Sequence, residues 1–309
     1  MAGVGEQRNL GEELKIGPVR VLFGRGGGKY PHGNTLLVEG TQQTIVIDPS
    51  LALHERAAPP PRADRVLLSH CHEDHLAGVA LYPETPVALH AADALGLRSL
   101  DGLMEIYGMD GPIAGVFREE LVRTFHYRAR PDAVDLVADE VLDLGGVRLR
   151  VLHTPGHTRG HSCFRIDWEG GSLLYLGDVD LSSFGPYYGD AWSDLGDFER
   201  SLARLRHEEA IWYATFHHIG VLKGQEAFLE RLDRFTAKIQ QRESRLIGFL
   251  AEPHSLEEVA AHRFIYRPGD NVPWAESTER RSMAMHIERL VETGRVAEVE
   301  PGRWRRVSN

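Results

Sequence analysis

The sequence predicts an α/β protein with a small helical domain at its carboxyl end. Three features carry that expectation. Short apolar runs of strand character recur through the first 224 residues, several of them end abruptly on a histidine or aspartate, and from Gln225 the pattern changes to long amphipathic helices. The expected division is therefore 1–224 and 225–309. A chain of 309 residues with 42% hydrophobic and 26% charged content has enough apolar material for one large domain plus an appendage.

In chain order, residues 19–23, 35–38 and 44–47 read as strands. The glycine-rich stretch 24–29 between the first two invites a phosphate-loop reading. It lacks the Gly-Lys-Ser/Thr ending and no helix succeeds it, so a hairpin or mobile active-site loop is expected instead. The third strand runs into Asp48-Pro49. A short helix then ends at the prolines 59–61, and residues 65–69 form an apolar run that reads as a buried strand.

The most informative segment begins where that strand ends. Residues 69–78 read Ser-His-Cys-His-Glu-Asp-His-Leu-Ala-Gly, which puts His70, His72, Asp74 and His75 within six positions on a strand-to-helix loop. In His-x-His the two rings can face one side while Cys71 points away. Imidazole and carboxylate together suit zinc, iron or manganese better than calcium or magnesium. Further candidates sit at the ends of later strands. The alternating strand 147–151 leads to a Thr-Pro-Gly turn that presents His157, residues 173–176 deliver Asp178 past a glycine, and residues 211–214 lead to the pair His217-His218. Residues 91–130 read as an irregular, helical insertion, with Leu95, Leu97, Leu103, Met104, Ile106 and Tyr107 as candidates to cap the site. After Asp178 the aromatic segment 181–190 is placed to form a pocket wall, with Tyr187 or Tyr188 as a donor to substrate.

The His-x-His-x-Asp-His run, with the Gly-His, Gly-Asp and final histidine in that order, resembles the metallo-β-lactamase-fold hydrolases from about residue 17 to residue 222. The resemblance implies an αββα sandwich of two mixed sheets. It implies two divalent metal ions, Zn2+ first and Fe or Mn as alternatives. One would be held by His70, His72 and His157, the other by Asp74, His75 and His217, with Asp178 bridging. His217 is preferred to His218 because Thr215-Phe216-His217 fits the family's Thr-x-His pattern. Asp48 would support the ligand loop from behind through a ligand imidazole. Asp74 would also orient a bridging hydroxide and relay its proton.

In the tail, residues 226–250 show a long amphipathic pattern, Ser255 and Glu258 have capping-box spacing, residues 282–293 read as another helix, and a hairpin carrying Trp304 comes last. This order resembles a winged helix, a tail found in some superfamily members, including a branch that cleaves single-stranded RNA. Residues 225–309 carry 14 acids and 14 bases, so the net charge of −10 lies in the first 224 residues. A polyanion normally needs a basic face, and only Arg280, Arg281, Arg303, Arg305 and Arg306 offer a local patch, so a tail that packs, or forms a homodimer, while covering one pocket rim is preferred.

The expected activity is metal-dependent hydrolysis of a small ester-type substrate, thioester or lactone first. A phosphodiesterase or single-strand endoribonuclease is the alternative, and a metal-dead scaffold would require lost ligand positions. The first ten residues lack a signal-peptide pattern and no run is long enough to span a membrane, so a cytoplasmic enzyme with no membrane partner is expected. The two cysteines imply no disulfide framework.

Overall fold

The computed structural model describes residues 9–270 and 272–307. The expectation of no signal peptide rests on the first ten residues, of which 1–8 lie outside the described ones. Two mixed sheets face each other. The first runs in spatial order β1 (Glu13–Ile16), β2 (Val19–Leu22), β3 (Thr35–Glu39), β4 (Thr44–Ile47), β5 (Arg65–Leu67), β6 (Val87–His90) and β7 (Val134–Leu136). Its pairs are antiparallel up to β4 and parallel beyond it. The second sheet contains β8 (Val141–Asp143), β9 (Val147–His153), β10 (Ser162–Trp168), β11 (Gly171–Tyr175), β12 (Trp212–Ala214) and β13 (Val221–Lys223), with one parallel pair, β11 with β12.

Both faces of each sheet are covered, which is why the strands read as continuous apolar runs. Alternation assigns the faces. Ile45 and Ile47 point between the sheets, toward Val151, Phe164, Leu173 and Phe216, while Val46 points outward with Val66 and Leu89 onto Leu97, Leu103 and Phe117. The outer face of the second sheet buries Leu152, Leu174 and Tyr213 against Phe198 and Leu202 of the helix Leu195–Leu205 and Phe228 and Leu232 of the helix Gln225–Phe249. The result is the expected αββα sandwich.

The insertion 91–130 is more regular than its sequence implies, with helices Ala94–Arg98, Leu100–Tyr107 and Gly111–Arg123. Ser99 caps the second, and Gly108 ends it in the left-handed region at φ 63°. The carboxyl-terminal region contains the helices Leu256–His262 and Ala275–Glu292 and a three-stranded antiparallel sheet, β14 (His254–Ser255), β16 (Arg303–Arg306) and β15 (Val296–Glu300). The Ser255–Glu258 capping box is present. Residue 224 does precede a new helix, but Phe228, Leu232, Phe235 and Ile239 of that helix belong to the sandwich core, and only Leu246 and Leu250 join the terminal core with Val259, Met283 and Ile287. No helix among the described residues is long and apolar enough to cross a membrane. Cys71 and Cys163 are free and buried.

Candidate metal centre

Four loops at one end of the sandwich converge. The loop after β5 carries His70, His72, Asp74 and His75, with the last two in the helix Glu73–Leu76. The loop after β9 carries His157. It is tied down by Asp93, whose Oδ2 accepts from Thr158 Oγ1 at 2.5 Å and whose Oδ1 accepts from Gly160 N at 2.7 Å. Past β11, Gly177 takes φ 52°, where a Cβ would stand 2.7 Å from His161 Nε2, so glycine is required to turn Asp178 inward. After β12, Thr215 Oγ1 donates to the His217 carbonyl at 2.6 Å and accepts from Gly220 N at 3.0 Å, which fixes the final turn.

The seven expected side chains come together in two clusters, His70, His72, His157 and Asp178 in one and Asp74, His75 and His217 in the other, with donor atoms within 4.8 Å of one another in each. Asp178 links them. Its Oδ2 lies 3.3 Å from His157 Nε2, and its Oδ1 lies 2.9 Å from His75 Nε2 and 3.8 Å from His217 Nε2. His218, adopting φ 57°, turns away: its side chain is 39% exposed and Nε2 is 3.9 Å from Asp180.

Does this donor set fit metal? His157 Nε2 lies 3.2 Å from His70 Nε2 and 3.0 Å from His72 Nδ1. Ligands bound at about 2.0–2.1 Å in tetrahedral geometry stand roughly 3.3 Å apart, so the spacing matches a shared coordination shell. The outer ring nitrogens agree. His157 Nδ1 donates to the Tyr187 carbonyl at 2.9 Å and His217 Nδ1 to the Gly28 carbonyl at 2.7 Å. A carbonyl only accepts, so in the neutral ring Nε2 keeps its lone pair and aims it inward. His75 Nδ1 hydrogen-bonds Asp48 Oδ2 at 2.9 Å, while His72 Nε2 lies 2.8 Å from Asp190 Oδ2 as a close contact without hydrogen-bond alignment. Asp74 Oδ2 is buried 2.9 Å from His217 Nε2 without the alignment of a hydrogen bond, as two donors facing a common cation would be. The residues fit a pair of divalent ions.

Electrostatics are strong here. Burial pushes the Asp178 carboxyl upward, but the neighbouring His75 and His217 overcome it and hold the group well below the usual range. Burial, then His75 and His72, drives His70 toward its neutral form. Asp48, fully buried, accepts from Ser69 N at 2.7 Å, Ser69 Oγ at 2.6 Å and Tyr175 Oη at 2.7 Å besides meeting His75.

A cavity of about 280 Å3 opens over the clusters. Aromatic rings form an arc around it. Tyr107 stacks on His72 at 5.2 Å, Phe117 meets Tyr107 at 5.1 Å, Trp274 meets Phe117 at 5.9 Å, Tyr30 meets Trp274 at 5.9 Å, and Tyr30 closes on His217 at 6.5 Å. Glu73 pins two of these rings, accepting from Tyr30 Oη at 2.9 Å and from Tyr107 Oη. Of the residues expected to cap the site, only Tyr107 lines the cavity; Leu97, Leu103, Met104 and Ile106 are core. Tyr187 lines it too, but its hydroxyl bonds Asp190 and Thr278, while Tyr188 is fully buried with its hydroxyl 3.0 Å from His286 Nε2. The expected donor role therefore falls on neither in this arrangement.

The sequence reading missed Asp190, Glu73 and Asp93. His161 Nε2 accepts from the Asp178 backbone N–H at 3.2 Å. Asp190 stands 118 positions from His72, whose ring it meets, and nothing local marks it. The carboxyl-terminal region supplies Tyr266, Val272 and Trp274 to the rim.

The metallo-beta-lactamase superfamily model matches residues 30–233. Acyl-coenzyme A thioesterase MBLAC2 of Homo sapiens is 31% identical over 201 residues, 56% of this chain and 66% of that protein, and lactamase-like protein aptB of Emericella nidulans is 29% identical over 201 residues, 60% and 52%. The chain thus spans just under two thirds of the length of the human relative. Among solved structures, a metallo-beta-lactamase family protein from Thermus thermophilus superposes with a TM-score of 0.68 at 26% identity, covering 94% of this chain and 99% of the other. The chain belongs to the metallo-beta-lactamase superfamily.

Proposed function

We propose that this protein is a dinuclear metal-dependent hydrolase of thioesters. The observation that carries the proposal is Asp178, one carboxylate oxygen turned to each cluster. His70, His72 and His157 would hold one ion and Asp74, His75 and His217 the other, with Zn2+ preferred for this donor set and Fe or Mn the alternatives. Bound there, the pair supplies Lewis acidity and a water acidic enough to attack at neutral pH. Asp74 turns Oδ2 toward His217, and its other oxygen, Oδ1, would be the group to orient a water at the site and accept its proton. Asp48 and Asp190 fix the rings of His75 and His72. The aromatic arc excludes water from an apolar acyl group.

The thioester preference draws on the MBLAC2 relatives, which carry that activity in their names, and on the aromatic cavity. Of the five arginines offered for the phosphodiesterase alternative, three are engaged within the chain and Arg305 and Arg306 stay exposed. Arg280 is paired with Glu257 and Arg303 with Glu258, and Arg281 is spent on the Tyr107 and Gly108 carbonyls. The division at residue 224 remains part of the proposal, with the helix Gln225–Phe249 as a spine shared by both units. A panel of acyl-coenzyme A thioesters, lactones, a β-lactam, bis-p-nitrophenyl phosphate and single-stranded RNA, each with and without chelator, tests the reading. Chelator-sensitive turnover is expected on thioesters first; turnover confined to the phosphodiesters would overturn it.

A further inference from the structure

A second cavity, of about 750 Å3, lies behind the first, between the start of the helix Gly111–Arg123 and the helices Leu256–His262 and Ala275–Glu292. Two residues line both cavities, Met109 and Trp274. Trp274 is also the apex of the aromatic arc, wedged between Phe117 and Tyr30 at 5.9 Å from each. Two other rings of the arc, Tyr30 and Tyr107, are tied back to the metal loop, since both donate to Glu73. Trp274 comes from the carboxyl-terminal region and is half-buried. Trp274 therefore lines both the cavity that opens over the clusters and the larger cavity beside it.

We propose that Trp274, with Met109, is the partition that sets the acyl length this enzyme accepts, and that the groove behind it is a blocked extension of the acyl site. The inference deepens the thioesterase reading and rests on it. The open cavity lies near the lower end of the roughly 300–1,000 Å3 typical of ligand pockets, so it takes a short or compact acyl group. Beyond Trp274 the groove offers Ile113, Leu256, Pro273 and Ala284 as apolar lining, with Asp110, Glu276, Ser277, Arg280 and Arg281 as its polar side. A longer chain would follow the apolar side once the indole is removed.

The test uses the metal-loaded full chain, the variants Trp274→Ala and Met109→Ala, and straight-chain acyl-coenzyme A thioesters from butanoyl to palmitoyl. Each methylene that finds apolar contact raises kcat/KM about fourfold. The wild type is expected to climb along the series, then fall once the chain meets Trp274. In either variant the fall moves to longer chains, and the ratio of long-chain to short-chain kcat/KM rises about tenfold or more, the worth of two further methylenes. Met109→Ala opens the same partition from the insertion side and decides the matter if Trp274→Ala does not fold. Calorimetric affinities for the matching fatty carboxylates give a second readout that requires no turnover, and their length limit shifts in the same way. An unchanged length profile in both variants, or a loss shared equally by all lengths, overturns the inference. A wild type that hydrolyses no thioester, yet binds carboxylates with a limit that Trp274→Ala extends, overturns the thioesterase reading and leaves the partition standing.

Discussion

At the residue scale, the site depends on what holds each imidazole from behind. His75 leans on Asp48, His72 on Asp190, His157 on the Tyr187 carbonyl and His217 on the Gly28 carbonyl. Removing the acceptor leaves a ring free to rotate or to change tautomer, and such outer partners typically account for about 10–100-fold in metal affinity. Asp190→Ala is the test, because asparagine would keep an accepting oxygen and because Asp48 accepts from Ser69 and Tyr175 where Asp190 accepts only from Tyr187 besides facing His72. The expected outcome is a roughly 10–100-fold weaker affinity for one of two ions, read by competition with a chelating dye, with the folded circular dichroism spectrum retained. The seven side chains of the two clusters were legible in the sequence because the segments that carry them follow apolar strands. Asp190 and Glu73 were not, since their roles arise from side chains that meet only after folding.

At the scale of elements, close packing transmits position into the site. Gly33 lies against Phe216, where a Cβ would stand 1.9 Å from Cζ, and Phe216 stacks on His75 at 3.6 Å. Gly33→Ala must displace that ring, so it is expected to destabilise the protein by about 1–3 kcal/mol and to lower metal affinity together with stability. Thermal unfolding with and without metal checks this, and an unchanged midpoint would show the loop yields freely. The carboxyl-terminal helices are joined by Glu243, whose carboxyl is held down to about 2 by the hydrogen bond from His286 and by Arg289. A depressed carboxyl stabilises the fold above its ordinary value of 4.5, and that contribution is lost as pH falls from 4.5 through about 2. Glu243→Gln is therefore expected to be less stable than wild type above pH 4.5 and to converge with it toward pH 2, as measured by denaturant unfolding of the metal-free protein across that range. Apolar spacing placed the helix Gln225–Phe249 but misplaced the start of the last one. The helix expected from 282 begins at Ala275, because its first turns bury Thr278 and Glu279. Glu279 is spent accepting from the backbone of Phe264, Ile265 and Tyr266 at 2.8–2.9 Å, a buried polar role that no hydrophobic period announces.

For the whole molecule, the sandwich was legible and the completeness of the site was not. Ile45, Val46 and Ile47 announce a strand buried on both faces, and that is a local property. The covering of the cavity by Tyr266 and Trp274, more than 40 residues beyond the last cluster histidine, is a tertiary one. The tail is thus part of the pocket, and its first helix is part of the sandwich core. All of this scaffolding converges on two clusters bridged by Asp178, and metal stoichiometry tests that convergence most directly. Elemental analysis of the reconstituted protein is expected to give two divalent ions per chain, with one retained when His217→Ala removes a donor from the second cluster. One ion in the wild type, or none, would contradict the account.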